Sequence, residues 1–288
     1  LSTSSAASDV YKRQELIKRI NPIADFDIVS NPEFLREGNA IDDFMRPDRV
    51  VVGVESERAK EVMSTIYKPL FLIETPIVYT DLKTAELIKY SANAFLAVKI
   101  SFINQIADLC EKVGADVHDI SRGMGLDKRI GSKFLHPGPG YGGSCFPKDT
   151  LALVQTAKTH NIDLSIVKTT IGYNQKRKSE MANKIIENLG NKLSSQKVAI
   201  LGLAFKPGTD DMRDSPALEI IPRLLKEGIT ISAFDPESMN QAKLLLSDVQ
   251  FSDTIEDCLQ GADALVILTE WNESVSYTHL TLPTKSTV

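Results

Sequence analysis

The last third of the chain alternates short apolar segments with helix-like segments, and this alternation constrains the fold more than any other feature. Strands are predicted at 197–202, 229–234 and 264–268. The helices predicted around them cover 215–227, 237–246 and 254–260. Strands that alternate with helices are joined by crossover connections, so this region is predicted to be a doubly wound α/β domain with a parallel sheet.

The turn after the first of these strands suits a nucleotide but not a standard dinucleotide site. It begins with a single glycine, Gly202, where the dinucleotide fingerprint has three. Lys206 and Arg213 follow in the same turn, and both are cations that can face phosphate groups. The turn therefore predicts a nucleotide-binding domain of a non-standard kind.

A partial sheet is predicted nearer the amino terminus. Glu33 and Glu37 follow its first strand, and ligands of open α/β sheets bind beyond the carboxyl ends of strands. The alternative for these acids is a solvated loop face or a charge at a helix start, which is the simpler interpretation of the spacing alone. The strands would cover 26–30, 49–53 and 76–80, with an amphipathic helix at 56–68.

The longest periodic segment covers residues 81–113, where apolar residues recur at helical intervals. Asp81 can cap its start and Gly114 can end it. A helix of about 33 residues is roughly 50 Å long, enough to link two domains or to form a subunit interface. Lys89 and Asn93 stand at i and i+4 and share one face. The spacing leaves open whether that face meets a site or solvent.

A glycine-rich run, 138–144, precedes the cysteine at 145, with Pro147, Lys148 and Asp149 directly after it. Glycines let a backbone approach a ligand closely, and a helix start beside a cation stabilises a thiolate. Cys145 is therefore predicted to be reactive, with a buried, inert thiol as the alternative. Further helices are predicted at 116–125, 147–160 and 163–189.

Two other features of this region are ambiguous. Gly138, Gly140 and Gly143 match G-x-G-x-x-G, but residues 129–137 do not resemble a strand, so the match is rejected as a dinucleotide site. The loop from 126 to 144 is either a phosphate-binding or a plain solvated loop. Its cationic residues are Lys128, Arg129, Lys133 and His136.

The composition narrows the class of protein. The chain has 288 residues, enough for about two domains, and its net charge of −5 argues against a nucleic-acid partner. Three scattered cysteines without a C-x-x-C pair suit a reducing cytoplasm, and no cysteine or histidine spacing fits a metal site. No apolar run approaches the length of about 20 residues that spans a membrane.

Both ends of the chain differ from their patterned neighbours. Residues 1–14 and about 275–288 are rich in serine and threonine and lack helical or strand periodicity. They resemble translated adapter sequence and are therefore predicted to be non-native, with genuine tails as the alternative. On that interpretation the chain is an internal piece of a longer protein.

Four motifs, in order along the chain, resemble the nucleotide-sugar 6-dehydrogenases of the UDP-glucose/GDP-mannose dehydrogenase family. The resemblance covers about residues 15–273. The first two motifs are Asn-Pro-Glu-Phe-Leu-Arg-Glu-Gly at 31–38 with Pro-Asp-Arg-Val-Val at 47–51, and Lys89 with Ser-Ala-Asn-Ala-Phe at 91–95. The others are Gly-Gly-Ser-Cys-Phe-Pro-Lys-Asp at 142–149 and Phe-Lys-Pro-Gly-Thr-Asp-Asp-Met-Arg at 205–213.

This resemblance implies NAD-dependent oxidation of the C6 alcohol of a UDP-sugar to a carboxylate. Cys145 would be the nucleophile that traps the aldehyde and holds a thioester. Asp149 would act as base and activate water, and Glu33 would be the partner of the hydrolytic water. Lys89 and Asn93 would stabilise negative charge on oxygen at C6.

The resemblance also implies binding roles. The residues expected around the UDP-sugar are Glu33, Phe34, Leu35, Arg36, Glu37, Lys89, Asn93, Phe134, Leu135, His136, Pro137, Gly138, Gly142 and Lys206. Glu37, Lys148 and Arg213 would face NAD. Arg129 resembles a residue that reaches the site of a neighbouring subunit, which implies a homodimer.

The implied architecture is α/β throughout. Residues 15–80 would end an NAD-binding, Rossmann-like domain, 81–190 would form a helical dimerisation domain, and 191–274 a UDP-binding, Rossmann-like domain. The family's G-x-G-x-x-G would precede residue 15 and is missing from the printed sequence. The chain as given is therefore expected to have no dehydrogenase turnover.

Rival functions remain at this level. A GDP-mannose or UDP-N-acetylhexosamine dehydrogenase would share most of these motifs, although residues 47–51 and 146–148 are more similar to the UDP-glucose branch. A non-catalytic module that binds nucleotide sugars is the alternative from another class. The joint presence of Cys145, Lys89, Asn93 and Asp149 argues against that module.

Overall fold

The computed structural model describes residues 6–191 and 193–277. These residues form two compact units. The first unit contains the described residues up to Phe95 together with Asp149–Leu164. The second contains Leu96–Lys148 and the described residues from Ser165 onwards. The domain boundaries predicted above stay predictions.

The first unit is built around two parallel strands, β1 and β2. Val50 lies opposite Ile77 and Gly53 opposite Thr80, and the three valines of β1 are buried. The elements in chain order are α1 (Ala6–Ile20), α2 (Ala40–Met45), β1 (Val50–Gly53), α3 (Glu57–Ile66) and β2 (Ile77–Thr80). The helices and strands predicted at 49–68 and 76–80 are thus confirmed within one or two residues.

The long helix predicted from the apolar period is confirmed as α4 (Leu82–Val113). The carboxylate of Asp81 accepts a hydrogen bond of 2.9 Å from the backbone N–H of Thr84, as a helix cap does. Gly114 has φ +72°, a left-handed conformation that glycine adopts without strain and that ends helices.

Three more helices follow α4 in the chain. They are α5 (Val117–Gly125), α6 (Cys145–Thr159) and α7 (Ser165–Leu189). Asp116 caps α5 by accepting a hydrogen bond of 2.7 Å from the backbone N–H of His118. The helix predicted at 147–160 begins two residues earlier than expected, so Cys145 is its first residue.

The sheet of the second unit is parallel, with strand order β5-β4-β3-β6. Its strands are β3 (Lys197–Leu201), β4 (Thr230–Phe234), β5 (Gln250–Phe251) and β6 (Ala264–Ile267). The accompanying helices are α8 (Ala217–Lys226), α9 (Met239–Leu245), α10 (Ile255–Leu259) and α11 (Asn272–Ser276).

Alternate residues of β3 pack against different helices. Val198 and Ile200 belong to a core that includes α7 and α8, whereas Ala199 and Leu201 pack with residues of α10. Both faces of the central strand are therefore buried, as in other parallel sheets. The predicted doubly wound α/β fold is confirmed.

Some predictions of regular structure are wrong. The strand predicted at 26–30 is reduced to one antiparallel bridge between Ser30 and Gly53, on the edge of β1 that does not pair with β2. Helix α1 covers residues 6–14, where the sequence showed no period. Helices α2 and α11 and the two-residue strand β5 were not predicted either. The predictions for residues 1–5 and 278–288 lie outside the described residues.

Within the described ranges, no helix is both long enough and apolar enough to cross a membrane.

Candidate active site

The predicted site residues are divided between the two units. In the first unit, Lys89 of α4 reaches the segment after the Ser30 bridge. Its Nζ donates to the backbone carbonyl of Glu33 at 2.5 Å and to the Glu33 carboxylate at 3.0 Å. The Lys89 side chain is 14% exposed and that of Glu33 is 55% exposed. A largely buried ammonium therefore faces a solvent-accessible carboxylate.

One turn further along α4, Asn93 makes a second contact with a carboxylate. Its Nδ2 donates to the Asp149 carboxylate at 2.6 Å, and both residues are buried, at 7% and 1% exposure. Lys89 and Asn93 thus each hold one of the predicted acids. The face that they share therefore meets two carboxylates, a point that the spacing alone left open.

Two cationic groups lie over the Phe34 ring in the same unit. The guanidinium carbon of Arg49 lies 3.6 Å from the centre of the Phe34 ring, and Lys89 Nζ lies 5.5 Å from it. Such contacts hold a ring by cation–π attraction. Arg49 belongs to the Pro-Asp-Arg-Val-Val motif, but its contact with Phe34 could not be read from the sequence.

The other members of the 33–37 segment have varied surroundings. The backbone N–H of Leu35 donates to the Glu33 carboxylate at 2.7 Å. Arg36 pairs with Asp43 at 2.5 Å, and the hydrogen bond from that guanidinium holds the pKa of Asp43 well below its usual range. Glu37 is half-buried. The pairing with Asp43 draws the Arg36 guanidinium towards α2.

In the second unit, Cys145 begins α6 and is partly exposed, whereas Cys110 and Cys258 are buried. Ser144 Oγ lies 3.5 Å from the Cys145 Sγ. Burial raises the pKa of Cys258, which makes its thiolate scarce. Among the three thiols, Cys145 is thus the one with both exposure and a helix start. Asp149 stands four residues later along α6.

The loop before Cys145 lies against the turn that carries Lys206 and Arg213. A Cβ placed on Gly142 would be 2.4 Å from the carbonyl oxygen of Asp214. Gly143 has φ +81° and its N–H donates to the Arg213 carbonyl at 2.7 Å. The glycines are therefore required by close backbone contact between two loops.

The 134–138 segment is fixed by contacts of its own. Phe134 has φ +63° and its ring centre is 6.0 Å from that of Phe146. Leu135 is buried, and its carbonyl accepts a hydrogen bond of 2.6 Å from Ser121. His136 is exposed and Pro137 is half-buried. The backbone of Gly138 is bonded on both sides, to Asn104 and Arg177.

The remaining predicted cations lie on the surface of the second unit. Arg129 pairs with Asp127 and its side chain is 89% exposed. Lys206 Nζ lies 5.6 Å from the centre of the Phe205 ring. Arg213 is oriented by Asp211 at 2.9 Å, with its side chain 66% exposed. Lys148 is exposed in the first turn of α6.

Lys148 and Arg213 are the two cations expected to face NAD, and both present their side chains to solvent. The described residues contain no group of three acids, cysteines or histidines arranged to hold a metal ion.

Several buried polar residues were missed by the sequence reasoning. Asn104, Asn174, Arg177 and Lys178 are at most 6% exposed. Asn174, Arg177 and Lys178 stand at i, i+3 and i+4 on α7, one turn before the core residues Met181 and Ala182. Their position on the same helix face as core residues is the sequence signal that could have predicted their burial. Each charged residue considered by itself would be expected to face solvent.

Family models for three domains match the chain. All three are models of the UDP-glucose/GDP-mannose dehydrogenase family. The NAD binding domain matches residues 2–71, the central domain matches 83–176 and the UDP binding domain matches 199–284.

Individual proteins give the same result. A UDP-glucose 6-dehydrogenase of Rhizobium meliloti is 55% identical over 262 residues, which is 90% of this chain and 60% of that protein. The structure of a UDP-glucose dehydrogenase from Pyrobaculum islandicum is 37% identical with a TM-score of 0.85, and the match covers 91% of this chain and 60% of that one.

A more distant structure is a UDP-D-ManNAc dehydrogenase from Pyrococcus horikoshii. It is 26% identical with a TM-score of 0.77, over 94% of this chain and 63% of that one. The chain thus spans about 60% of the length of the relatives that it matches.

Proposed function

Because the chain belongs to the UDP-glucose/GDP-mannose dehydrogenase family, we propose that it carries the catalytic residues of an NAD-dependent UDP-glucose 6-dehydrogenase. The observation that carries this proposal is the pair of contacts on α4, Lys89 with Glu33 and Asn93 with Asp149. The names of the Rhizobium meliloti and Pyrobaculum islandicum relatives favour UDP-glucose over the sister substrates.

The first oxidation requires a base at the C6 hydroxyl. Asp149 is buried and its carboxylate is oriented by Asn93 Nδ2 at 2.6 Å, and it is assigned as the base that accepts the hydroxyl proton. Lys89 Nζ is a cation that favours negative charge on the same substrate oxygen. NAD, when bound, supplies the hydride acceptor for each oxidation.

The second part of the reaction is covalent. The Cys145 thiolate adds to the aldehyde carbon, so that a C–S bond forms and the carbonyl electron pair moves to oxygen. Lys89 and Asn93 stabilise that oxyanion, as oxyanion-hole donors do. Oxidation of the adduct leaves a thioester on Cys145. Water held by Glu33 then cleaves the C–S bond, which releases the carboxylate and returns the thiolate.

The nucleotide is proposed to bind to the second unit. Gly142 and Gly143 lie in direct backbone contact with the 205–214 turn, which carries Lys206. Lys206 would meet a phosphate of UDP, and the ordered backbone at Gly138 would line the sugar. Arg36, Arg129 and His136 keep the binding roles that the resemblance implies.

A homodimer is proposed as the assembly, and it rests on the exposed apolar residues of α4. Phe102, Leu109 and Val113 are 44%, 56% and 65% exposed and stand at i, i+7 and i+11. Beside Phe102 lies a groove of ≈ 300 Å³, whose lining includes Val98, Ile166 and Tyr173. A cytoplasmic location, predicted from the cysteines, stays a prediction.

Competitive thiol labelling tests the proposed function on the chain itself. Iodoacetamide is added with or without UDP-glucose, and mass spectrometry follows the peptides that contain Cys110, Cys145 and Cys258. Cys145 should react at least about ten-fold faster than the two buried thiols. UDP-glucose should slow that reaction, and GDP-mannose and UDP-N-acetylglucosamine should not.

Two results would count against the proposal. Equal reaction rates for the three cysteines would favour a binding module, and protection by GDP-mannose alone would favour the sister enzyme. The absence of turnover by the chain as given is a separate prediction, checked by NADH absorbance with UDP-glucose and NAD.

A further inference from the structure

Four buried polar side chains of the second unit surround the loop that leads to Cys145. Asn104 comes from α4, and Asn174, Arg177 and Lys178 come from α7. Their exposures are 1%, 6%, 4% and 4%. We call these four residues the loop clamp, because each donates to or accepts from the backbone of a loop that carries predicted site residues.

Two residues of the glycine-rich loop have their backbone groups bonded completely by the loop clamp. The Gly138 N–H donates to Asn104 Oδ1 at 2.8 Å, and its carbonyl accepts from Arg177 Nε at 3.1 Å. The Tyr141 N–H donates to Asn174 Oδ1 at 2.8 Å, and its carbonyl accepts from Asn174 Nδ2 at 3.0 Å. Shifting the loop would leave buried polar groups without partners, which is unfavourable.

Lys178 connects the glycine-rich loop to the 205–214 turn. Its Nζ donates to the Asp214 carbonyl at 2.7 Å. That same carbonyl oxygen would lie 2.4 Å from a Cβ on Gly142, and a Cβ on Gly140 would lie 3.1 Å from Lys178 Cγ. Lys178 therefore touches one loop with its aliphatic stem and binds the other with its ammonium.

The two cations of the loop clamp, Arg177 and Lys178, have different kinds of partner. Arg177 forms an ion pair with Asp108, which also accepts a hydrogen bond of 2.9 Å from Tyr173. Burial lowers the pKa of Lys178, and the charges of Asp214 and Glu219 oppose that effect. Burying an ammonium against a carbonyl is costly, so Lys178 is a poor choice for stability alone.

We propose that the loop clamp consists of positioning residues, which hold the glycine-rich loop so that Cys145 stays at an ordered helix start. The proposal rests on the nucleophile role proposed for Cys145. When the loop is fixed, the first-turn amides of α6 keep a constant geometry around the Cys145 thiolate. When the loop loosens, that turn frays and the thiolate loses its stabilisation.

Lys178→Met is the main test, because methionine fills a similar volume and its burial favours folding. Lys176→Met is the matched control, since Lys176 is 70% exposed and pairs with Glu180 on the same helix. In Lys178→Met, the rate of iodoacetamide labelling at Cys145 should fall about five-fold, while Cys110 and Cys258 stay protected. Lys176→Met should label like the unmodified chain, and Lys178→Arg should recover part of the lost rate.

The outcomes separate this proposal from the proposed function. A Cys145 that reacts no faster than Cys110 and Cys258 in the unmodified chain would overturn both. A reactive Cys145 whose rate is the same in Lys178→Met would overturn the positioning role alone. Faster labelling of all three cysteines in Lys178→Met would also overturn it, because that pattern reports general loosening of the unit. Asn174→Leu, which removes both bonds to Tyr141, should reproduce the selective loss at Cys145.

Discussion

Asp235 stands directly after β4, is 1% exposed and accepts five hydrogen bonds. Four come from backbone N–H groups on two loops, those of Leu203, Ala204, Glu237 and Ser238. The fifth comes from the indole N–H of Trp271 at 3.1 Å. One carboxylate thus fixes the turn after β3, the start of α9 and the chain before α11.

The ionisation of Asp235 makes stability depend on pH. Burial alone would raise its pKa, but the four backbone amides outweigh burial and lower the pKa below its ordinary value. A carboxyl whose pKa is lowered by folding contributes stability that is fully present above the unfolded pKa, about 3.9, and is lost as pH falls through the folded pKa. The contribution is therefore expected to begin to decline near the unfolded pKa, at about pH 4, and to be lost only at still lower pH, below the folded pKa.

Asp235→Asn should lower the free energy of unfolding by about 2–4 kcal/mol at neutral pH, because an amide NH2 would face backbone donors. Trp271 is the single tryptophan of the chain, so its emission reports the change directly. Urea unfolding followed by that fluorescence gives the free energy. The loss should shrink when unfolding is repeated near pH 3. Asp253→Asn, at an exposed carboxylate, is the control, and a loss that is equal at both pH values would contradict the assignment.

The close contact between the glycine-rich loop and the 205–214 turn predicts that a side chain at Gly142 lowers the stability of the protein. Gly142→Ala would place a methyl group 2.4 Å from the Asp214 carbonyl oxygen, so two backbones must separate. We expect the thermal midpoint to fall, with a loss of about 1–3 kcal/mol in stability. Gly138→Ala is the matched control, because nothing lies within 4 Å of a Cβ at that position. Equal midpoints for the two variants, by circular dichroism, would show that the two loops are not in fixed contact.

Elements with a strong local signal were predicted well. The apolar period and the Asp81 cap defined α4, and the β-branched runs defined β1, β3 and β4. The segment at 26–30 has the same kind of local pattern but forms only the Ser30 bridge. A strand needs a partner with free backbone groups, and that partner cannot be read from five residues.

The same limit applies to the site residues, whose local pattern can be read from the sequence but whose distant partners cannot. The i and i+4 spacing of Lys89 and Asn93 predicted a shared face, but only the structure shows that Glu33 and Asp149 meet it. Arg177 and Lys178 were overlooked because charged residues in a helix are usually solvated. Their burial depends on Asp108 of α4 and on Asp214, which are distant in the sequence.

At the scale of the whole chain, length and composition predicted a globular protein with about two domains. The described residues form two compact units, but each is discontinuous, since residues 149–164 join the first unit. Composition cannot predict such a division, because the division depends on which long helices contribute residues to both units. The family models nevertheless follow the chain in three consecutive segments, 2–71, 83–176 and 199–284.

The proposed homodimer gives a last prediction at this scale. An exposed apolar stripe on a long helix is stabilised when a second copy covers it, and burial yields about 25 cal/mol per Å². Phe102→Asp puts a charge in the stripe and should convert the dimer to a monomer in light scattering after size exclusion. Phe44→Asp is the matched control, because Phe44 lies on α2 of the first unit and is 57% exposed. Loss of the dimer in the Phe44 variant alone would place the interface elsewhere, and a monomeric unmodified chain at micromolar concentration would contradict the proposed assembly.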